Sequence, residues 1–238
     1  MAFKALLFDL DGTLLDLDME TFLPAYFQAL TRRFGQLVDP QQFVDHLVAS
    51  TAVMMASKDP EKTNEEVFMA DFIPRLGLSR EVLLPLLDDF YRNDFPALAG
   101  EARRKPLARE IIQYAFARGF AVVVATNPVF PKLAIAHRLR WAGVGVEDFP
   151  YRLVTSYEIM HFCKPNREYY EEILASLGLK AGECLMIGND VQDDLRAREV
   201  GIRTFLVEDH LINRTGGMPP RQITAVTWKI CTSLFKAL

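Results

Sequence analysis

Residues 4–13 of the chain read KALLFDLDGT, a short apolar run that ends in a cluster of polar residues. An apolar run of this length, closed by turn residues, is typical of a strand that is buried on both faces of a parallel sheet. Similar runs occur late in the chain, at 120–126 (FAVVVAT), 183–189 (ECLMIGN) and 202–207 (IRTFLV), with a weaker one at 151–155. The sequence therefore predicts one parallel sheet of five strands.

Helical patterns separate these runs. Apolar residues three and four positions apart precede Gly119, Gly143 and Gly178. A glycine just after the last apolar residue suits the end of a helix. Strands that alternate with helices predict an α/β fold with a doubly wound parallel sheet.

The interval 16–100 differs from the rest because it holds no strand-like run. Four amphipathic helical patterns occur there, around residues 22–34, 43–54, 67–76 and 82–91. Each keeps the three-to-four spacing of a helix with one buried face. We therefore predict an all-helical domain at 16–100, inserted into a core formed by residues 1–15 and 101–238.

The overall composition limits the classes of function. The 238 residues carry 27 Lys and Arg against 31 Asp and Glu, a net charge of −4, and 50% of them are hydrophobic. Such a chain is too apolar for intrinsic disorder. An acidic balance also gives no general attraction to nucleic acid or anionic lipid, so we expect neither as a partner.

Cysteine usage and hydropathy bear on the compartment. The three cysteines, Cys163, Cys184 and Cys231, form no C-x-x-C pair, which argues against a zinc or dithiol site. The chain reaches Asp9 before any apolar stretch of signal-peptide length, and no run is long enough to span a membrane. We therefore expect a soluble, cytoplasmic protein with no membrane partner.

Two carboxylates close the first run. Asp9 and Asp11 are two residues apart, so on an extended chain their side chains point the same way. Paired carboxylates repel each other unless a cation neutralises them, and Mg²⁺ prefers such oxygen ligands. The alternative is a simple turn, since Asp11-Gly12 is a favoured turn dipeptide. The position at the carboxyl end of a parallel strand, where α/β folds bind ligands, favours a site.

Polar residues also follow later elements. Thr126-Asn127 ends the second run, where a hydroxyl and free amides can hold an anion, although a threonine there is often only a cap or turn residue. Lys164-Pro165 precedes a predicted helix, and an isolated lysine in such a place is usually solvated.

A second acidic cluster, the fourth motif, follows the strand at 183–189. Residues 188–194 read GNDVQDD, and Asp190 and Asp194 would share one face of a helix's first turn. Acidic residues favour helix N-termini, but three aspartates in five positions exceed what capping requires. All four motifs lie at the predicted carboxyl ends of strands, so we expect them to meet in one crevice.

With its four motifs in this order, the chain resembles the haloacid dehalogenase superfamily. The resemblance covers about residues 1–14 and 104–210 through Asp9-x-Asp11-Gly12-Thr13, Thr126, Lys164-Pro165 and Gly188-Asn189-Asp190 with Asp194. It implies a Rossmann-like core. The helical insert resembles the C1 cap of the subfamily that includes phosphoglycolate phosphatase and β-phosphoglucomutase, and it implies that this cap closes the active site.

The resemblance also implies a role for each motif. Asp9 would be the nucleophile that forms an aspartyl-phosphate, and Asp11 the acid that protonates the leaving oxygen and then the base that deprotonates water. Thr126 would bind the phosphoryl group, and Lys164 would neutralise charge on the nucleophile and the phosphate. Asn127 would offer its backbone amide to phosphate.

A magnesium site follows from the same resemblance. Asp9, the backbone carbonyl of Asp11 and Asp190 would bind Mg²⁺, with Asp194 beside these ligands without touching the metal. The motif reads Gly-Asn-Asp instead of the commoner Gly-Asp, and Asp193 competes with Asp194 for the second acidic role.

These residues together predict a Mg²⁺-dependent phosphatase of a small phosphorylated metabolite. A phosphomutase of the same fold and a catalytically inactive phosphate-binding or regulatory protein are the alternatives. A haloacid dehalogenase is disfavoured because it needs no leaving-group acid such as Asp11. The sequence specifies neither the substrate nor the oligomeric state.

Several other residues are weaker candidates for function. We consider the following as possible contacts of the substrate: Lys58, Arg75 and Arg92 in the insert, and His161 near Lys164. The basic run Arg103-Arg104-Lys105 is interpreted as a solvated hinge. Trp228, Cys231, Leu234 and Phe235 form a helical stripe that we interpret as core packing.

Overall fold

The structure, a computed structural model, describes residues 3–216 and the short strand at 225–226. Its strands are β1 (Ala5–Phe8), β2 (Leu15–Asp16), β3 (Arg103–Arg104), β4 (Ala121–Val124), β5 (Leu153–Val154), β6 (Cys184–Gly188), β7 (Arg203–Val207) and β8 (Ala225–Val226). Six of them form one parallel sheet in the order β5-β4-β1-β6-β7-β8. The five predicted strands and the α/β class are confirmed, and β8 is an addition at the edge.

Helices cover both faces of this sheet because its strands are buried on both sides. They are α5 (Pro106–Ala117), α6 (Lys132–Ala142) and α7 (Arg167–Leu177), which follow α1 to α4 of the insert. Alternate residues of β1 belong to separate apolar clusters: Leu6 and Phe8 pack with α5 and α6, whereas Ala5 and Leu7 pack with α7.

The sheet order brings the polar motifs together. β1 lies between β4 and β6, with Phe8 paired to Val124 on one side and to Ile187 on the other. The chain moves outward from β1 to β4 and β5 and then crosses to β6 on the opposite side of β1. The carboxyl ends beside such a reversal form the crevice where α/β folds bind ligands.

The interval between β1 and α5 is helical. It contains α1 (Met19–Phe34), α2 (Pro40–Ala56), α3 (Asn64–Leu76) and α4 (Arg80–Asp89), followed by a π-helical turn at Phe90–Asp94 and a 3₁₀ helix at Phe95–Glu101. The four predicted helices are thus present. The segment is entered and left through a small antiparallel ladder, in which Leu15 pairs with Arg104 and Asp16 with Arg103. The division into domains at 15/16 and 100/101 stays a prediction.

Aromatic side chains join this segment to the core. Phe22 of α1 packs edge-on to Phe130 and Trp141, each at 6.5 Å between ring centroids. Phe95 stacks on Trp141 at 5.4 Å. Because aromatic pairs add to the area they bury, these contacts hold the insert against α6 and the loop before it.

The basic run 103–105 departs from the sequence interpretation. Arg103 and Arg104 are exposed, but Lys105 is buried, and its ammonium donates a hydrogen bond of 2.6 Å to the carbonyl of Gly12. The prediction of a solvated hinge is therefore wrong for Lys105. This lysine joins the segment between β3 and α5 to the loop that carries Asp9 and Asp11.

Replacing Lys105 with methionine is expected to lower the free energy of unfolding by about 1.5–3 kcal/mol, the usual contribution of a hydrogen bond to a charged group. Arg103→Met, two residues away and exposed, is the matched control and should change it by less than about 0.5 kcal/mol. Urea denaturation of both variants measures the difference. Equal stabilities would restore the interpretation of the whole run as solvated.

Three further sequence predictions concern the stripe at 228–235, the cysteines and membrane-spanning helices. The stripe of Trp228, Cys231, Leu234 and Phe235 lies outside the residues that the structure describes. Cys163 and Cys184 are buried free thiols. Over the described part of the chain, none of the helices combines the length and the hydropathy needed to cross a bilayer.

Candidate active site

The first motif forms a tight loop directly after β1. Asp9 donates its backbone N–H to the carbonyl of Ile187 at 2.9 Å, which continues the pairing with β6. Gly12 then turns the chain with φ +77°, a conformation that side chains rarely adopt. A Cβ at Gly12 would also lie 2.4 Å from the amide nitrogen of Asn189. The Asp-Gly turn and the two-carboxylate site are therefore features of the same loop.

Asn189 fixes this loop from the neighbouring strand. Its side-chain oxygen accepts a hydrogen bond of 2.9 Å from the hydroxyl of Thr13, and its amide donates one of 2.7 Å to the carbonyl of His210. Asn189 is buried, so both polar atoms need partners. The asparagine of the Gly-Asn-Asp sequence therefore has a structural role, since it holds the loop of the first motif in place.

Lys164 is the electrostatic centre of the site. Its side chain is buried, and its ammonium lies 2.9 Å from Oδ1 of Asp9 and 2.6 Å from Oδ1 of Asp194. Burial alone would lower the pKa of Lys164, but the carboxylates of Asp194 and Asp9 raise it well above its ordinary value. The lysine therefore stays charged. It joins the first motif to the fourth.

The fourth motif separates its two competing aspartates. Asp194 is fully buried, contacts Lys164, and accepts a hydrogen bond of 2.9 Å from the backbone N–H of Asp190. Gly188 leaves the room for this carboxylate, since a Cβ there would lie 2.0 Å from Oδ2 of Asp194. Asp193 instead lies near an arginine, at 3.5 Å. The acidic residue that contacts Lys164 is therefore Asp194.

The second motif lies at the end of β4. Thr126 is buried, and its carbonyl accepts hydrogen bonds from the hydroxyls of Thr155 at 2.7 Å and Tyr169 at 2.9 Å. The side-chain oxygen of Asn127 accepts a hydrogen bond of 3.1 Å from the backbone N–H of Lys164. Asn127 thus positions the lysine loop, a contact that the sequence did not predict.

Arg138 of α6 is a site residue that the sequence analysis missed. It is 1% exposed and forms an ion pair with Oδ2 of Asp11, and its guanidinium carbon lies 4.4 Å from the centroid of the Phe130 ring. The buried face of this helix comprises Ala134, Ile135, Arg138, Leu139 and Ala142. The sequence signal that could have identified Arg138 is its position within the otherwise apolar buried face of the helix.

Asp11 is held differently from Asp9. Burial raises the pKa of Asp11 to about 6, against the opposing effect of Arg138. Its Oδ1 is buried and has no hydrogen-bond partner among the residues that the structure describes. A carboxyl with this pKa and a free oxygen can hold and release a proton near neutral pH.

Arg214 is a second arginine that sequence reasoning did not find. Its guanidinium contacts both oxygens of Asp190, at 3.1 and 2.6 Å, and its backbone N–H donates to the side-chain oxygen of Gln192 at 2.9 Å. The side chain of Arg214 is 53% exposed. It lies 24 residues after its partner in a loop, so no spacing rule connects the two.

The oxygen atoms at this edge suit Mg²⁺. Mg²⁺ is usually bound by one or two carboxylates together with water and phosphate, instead of by an all-protein cage. Asp9 and Asp190 follow the adjacent strands β1 and β6, so both carboxylates lie at the same edge of the sheet as the backbone carbonyl of Asp11. Within the described ranges no group of three or more His, Cys, Asp or Glu residues is arranged to hold a metal. These oxygen atoms therefore fit a Mg²⁺ ion that substrate and water would also bind. To bind it, Asp190 would have to release the guanidinium of Arg214.

The weaker candidates contact acidic side chains near the surface. Lys58 forms an ion pair with Glu168, Arg75 with Asp71 and Arg92 with Asp88, whereas Nδ1 of His161 lies within hydrogen-bond distance of Glu172, at 2.7 Å. None of these acidic partners belongs to the four motifs. Exposed ion pairs contribute little energy. The contacts of these side chains therefore do not connect them to the four motifs.

Comparison with known proteins gives consistent results. A family model described as haloacid dehalogenase-like hydrolase matches residues 3–201. Phosphatase MT3486 of Mycobacterium tuberculosis is 25% identical over 218 residues, which are 87% of this chain and 88% of that protein. Pyrophosphatase PpaX of Halalkalibacterium halodurans is 21% identical over 210 residues, 87% of this chain and 84% of that protein.

A solved structure shares the whole fold. The crystal structure of a HAD phosphatase from Thermococcus onnurineus superposes with a TM-score of 0.56 at 19% identity and covers 97% of each chain.

Proposed function

The chain belongs to the haloacid dehalogenase-like hydrolase family, and on that premise we propose that it is a Mg²⁺-dependent phosphatase of small phosphorylated metabolites. The proposal rests on the different environments of two neighbouring carboxylates, Asp9 and Asp11. Asp9 is paired with the buried ammonium of Lys164, whereas Asp11 has a raised pKa and a free oxygen. A carboxyl whose raised pKa lets it hold a proton near neutral pH suits the role of acid, and a carboxylate paired with an ammonium suits the role of nucleophile.

Asp9 is the proposed nucleophile. Lys164 occupies its Oδ1, so attack proceeds through Oδ2. The new Oδ2–phosphorus bond forms as the phosphorus–oxygen bond of the ester breaks, which gives an aspartyl-phosphate and an alcohol. Splitting one difficult displacement into two easier ones is the advantage of such an intermediate.

Asp11 is the proposed acid and base. It gives its proton to the departing ester oxygen, and it then takes a proton from the water that attacks the aspartyl-phosphate. The second step releases inorganic phosphate and returns Asp9 to its carboxylate form. Arg138 holds Oδ2 of Asp11 and leaves Oδ1 for the proton.

The remaining residues position charge. Thr126, at the end of β4, would bind the phosphoryl oxygens, and Lys164 would stabilise the charge that develops on them. Asp9, Asp190 and the carbonyl of Asp11 would hold Mg²⁺, and Asp194 would keep Lys164 and the backbone of Asp190 in place. Bound Mg²⁺ supplies positive charge between an anionic nucleophile and an anionic substrate. We assign residues 16–100 as a cap that excludes water from this site.

Hydrolysis of p-nitrophenyl phosphate tests the proposal. We expect release of nitrophenolate in the presence of Mg²⁺, loss of turnover when a chelator is added, and recovery when Mg²⁺ is restored. The chelated protein should keep its unfolding temperature within a few degrees, which separates loss of the metal from loss of the fold. Turnover that persists in excess chelator would contradict the metal assignment, and no turnover with Mg²⁺ would contradict the function.

Replacing Asp11 with asparagine is expected to separate the two half-reactions. Nitrophenolate leaves without a proton, so the variant should release about one equivalent per chain in a burst and then turn over about 100-fold more slowly than the wild type, since it lacks the base for the second step. Stopped-flow absorbance measures both phases. Steady turnover at the wild-type rate, with no burst, would contradict the role of Asp11.

A further inference from the structure

An apolar cavity of about 350 Å³ lies between the insert and the core, and the mechanism proposed above makes no use of it. Its walls come from α1, α2, α3, the α4 region and the segment that follows Thr126-Asn127. They are made mainly of leucine, methionine, phenylalanine and tyrosine side chains, together with Val48, Thr51, Ala52, Val129 and Pro131. No Lys, Arg, Asp or Glu occurs among the described residues that line the cavity. Its rim includes Val48, which is 52% exposed, so the cavity is open to solvent along α2.

The few polar atoms of the wall are mostly engaged within the protein. The hydroxyls of Tyr26 and Tyr91 hydrogen-bond each other at 2.6 Å, and the hydroxyl of Thr51 donates to the carbonyl of Leu47 at 2.8 Å. A sugar or another polyol would lose its hydrogen bonds to water here and find few replacements. The wall therefore selects for an apolar group.

The cavity lies two side chains from the acid of the proposed reaction. Phe130 lines it, and the ring of Phe130 lies against the guanidinium of Arg138, which pairs with Asp11. Phe130 and Arg138 thus lie between the cavity and the residue proposed to protonate the leaving oxygen. Because Asp11 has that proposed role, the alcohol part of an ester held at Asp9 would lie on the Asp11 side of the site.

The volume sets the size of the group. An apolar cavity of about 150 Å³ accommodates one benzene molecule. A cavity of 350 Å³ is slightly more than twice as large, so it fits about twelve carbon atoms.

We propose that this cavity binds the hydrophobic part of the substrate, and that the enzyme acts on phosphate monoesters of apolar alcohols or phenols of about twelve carbons. The inference rests on the proposed phosphatase function and specifies its substrate class. In this inference the apolar side chains of the insert select the substrate, and its surface cations Lys58, Arg75 and Arg92 do not.

A series of n-alkyl phosphates, from methyl to tetradecyl, tests the inference. Each methylene that enters an apolar site is expected to raise kcat/KM about three- to fourfold, until the chain fills the cavity near twelve carbons. Longer chains should give no further gain. A flat or falling profile over the first eight carbons would overturn the inference.

A matched pair of variants localises the effect. Thr51 lines the cavity, whereas Val53 lies two residues away on α2, 41% exposed and outside it. Thr51→Trp fills part of the cavity and should lower the ratio of kcat/KM for decyl phosphate to that for methyl phosphate at least about tenfold, which corresponds to about two methylenes. Val53→Trp should keep the wild-type ratio. Equal ratios in the two variants would overturn the assignment to this cavity.

Calorimetric titration with 1-decanol provides a readout that needs no turnover and no phosphate. Decanol should bind the wild type and Val53→Trp with a similar Kd and bind Thr51→Trp at least about tenfold more weakly. Should Thr51→Trp fail to fold, Leu47→Ser places a polar group on the same wall and serves for the comparison.

The outcomes separate the two proposals. Hydrolysis of every ester at one rate, with no decanol bound, overturns the inference and leaves the phosphatase function standing. Binding of decanol without hydrolysis of any ester contradicts the function and, with it, the substrate assignment.

Discussion

Asp9→Asn is expected to lower kcat for p-nitrophenyl phosphate by about 10⁴-fold or more, in the range seen when a covalent nucleophile is removed. Asparagine has nearly the same shape, but its amide does not attack phosphorus at neutral pH. The carboxylate of Asp194 remains to pair with Lys164, so the fold should persist. Steady-state kinetics measures the loss, and circular dichroism confirms that the variant is folded.

A matched acid-to-amide change controls for this result. Asp45 is exposed on α2 and accepts a hydrogen bond only from the neighbouring side chain of Gln41 among the described residues. Asp45→Asn should keep kcat within about twofold of the wild type. If Asp9→Asn retained as much activity as Asp45→Asn, Asp9 would not be the nucleophile.

Lys164→Met is expected to damage both stability and activity. Its ammonium is the shared partner of two buried carboxylates, and removing one member of a buried ion pair costs about 3–5 kcal/mol of stability. The same change removes positive charge from the transition state, so kcat should fall about 10³-fold in whatever fraction remains folded. Chemical denaturation and kinetics on the folded fraction measure the two effects separately.

Arg167→Met is the surface counterpart of this change. Arg167 lies three residues further along and pairs with Glu171 in an exposed ion pair. Such pairs contribute less than about 1 kcal/mol, so the variant should be nearly as stable as the wild type. Lys164→Met and Arg167→Met with the same unfolding midpoint would refute the view that Lys164 holds the site together.

The sequence was sufficient to predict the frame of the molecule. The strands that carry Asp9 and Thr126 are continuous apolar runs, a pattern that few other elements produce. Parallel strands place their carboxyl ends at one edge, so the convergence of the four motifs followed from the order of elements alone. The contact of Lys164 with both Asp9 and Asp194 agrees with that expectation.

The contacts that sequence reasoning missed are long-range. Arg138 contacts Asp11 across 127 positions, and Lys105 contacts Gly12 across 93. Single basic residues are usually solvated. Arg138 and Lys105 are buried only because α6 and the segment before α5 pack against the rest of the protein. Strands β2 and β3 contain two residues each, too few to show a period of two. Arg214 reaches Asp190 from a loop, where no periodicity applies.

The structure also changes the meaning of the net charge of −4. Carboxylates gather at the first and fourth motifs, and buried or bound cations compensate them: Lys164 for Asp9 and Asp194, Arg138 for Asp11. The positive charge that an anionic substrate requires is therefore local.

Trapping of the covalent intermediate tests whether Asp9 is the nucleophile. Protein and substrate are mixed with Mg²⁺, quenched in acid within milliseconds, and digested for mass spectrometry. We expect one phosphoryl group per chain, on the peptide that contains Asp9, and none in Asp9→Asn. Turnover without this adduct, or a phosphoryl group on another residue, would contradict this role of Asp9.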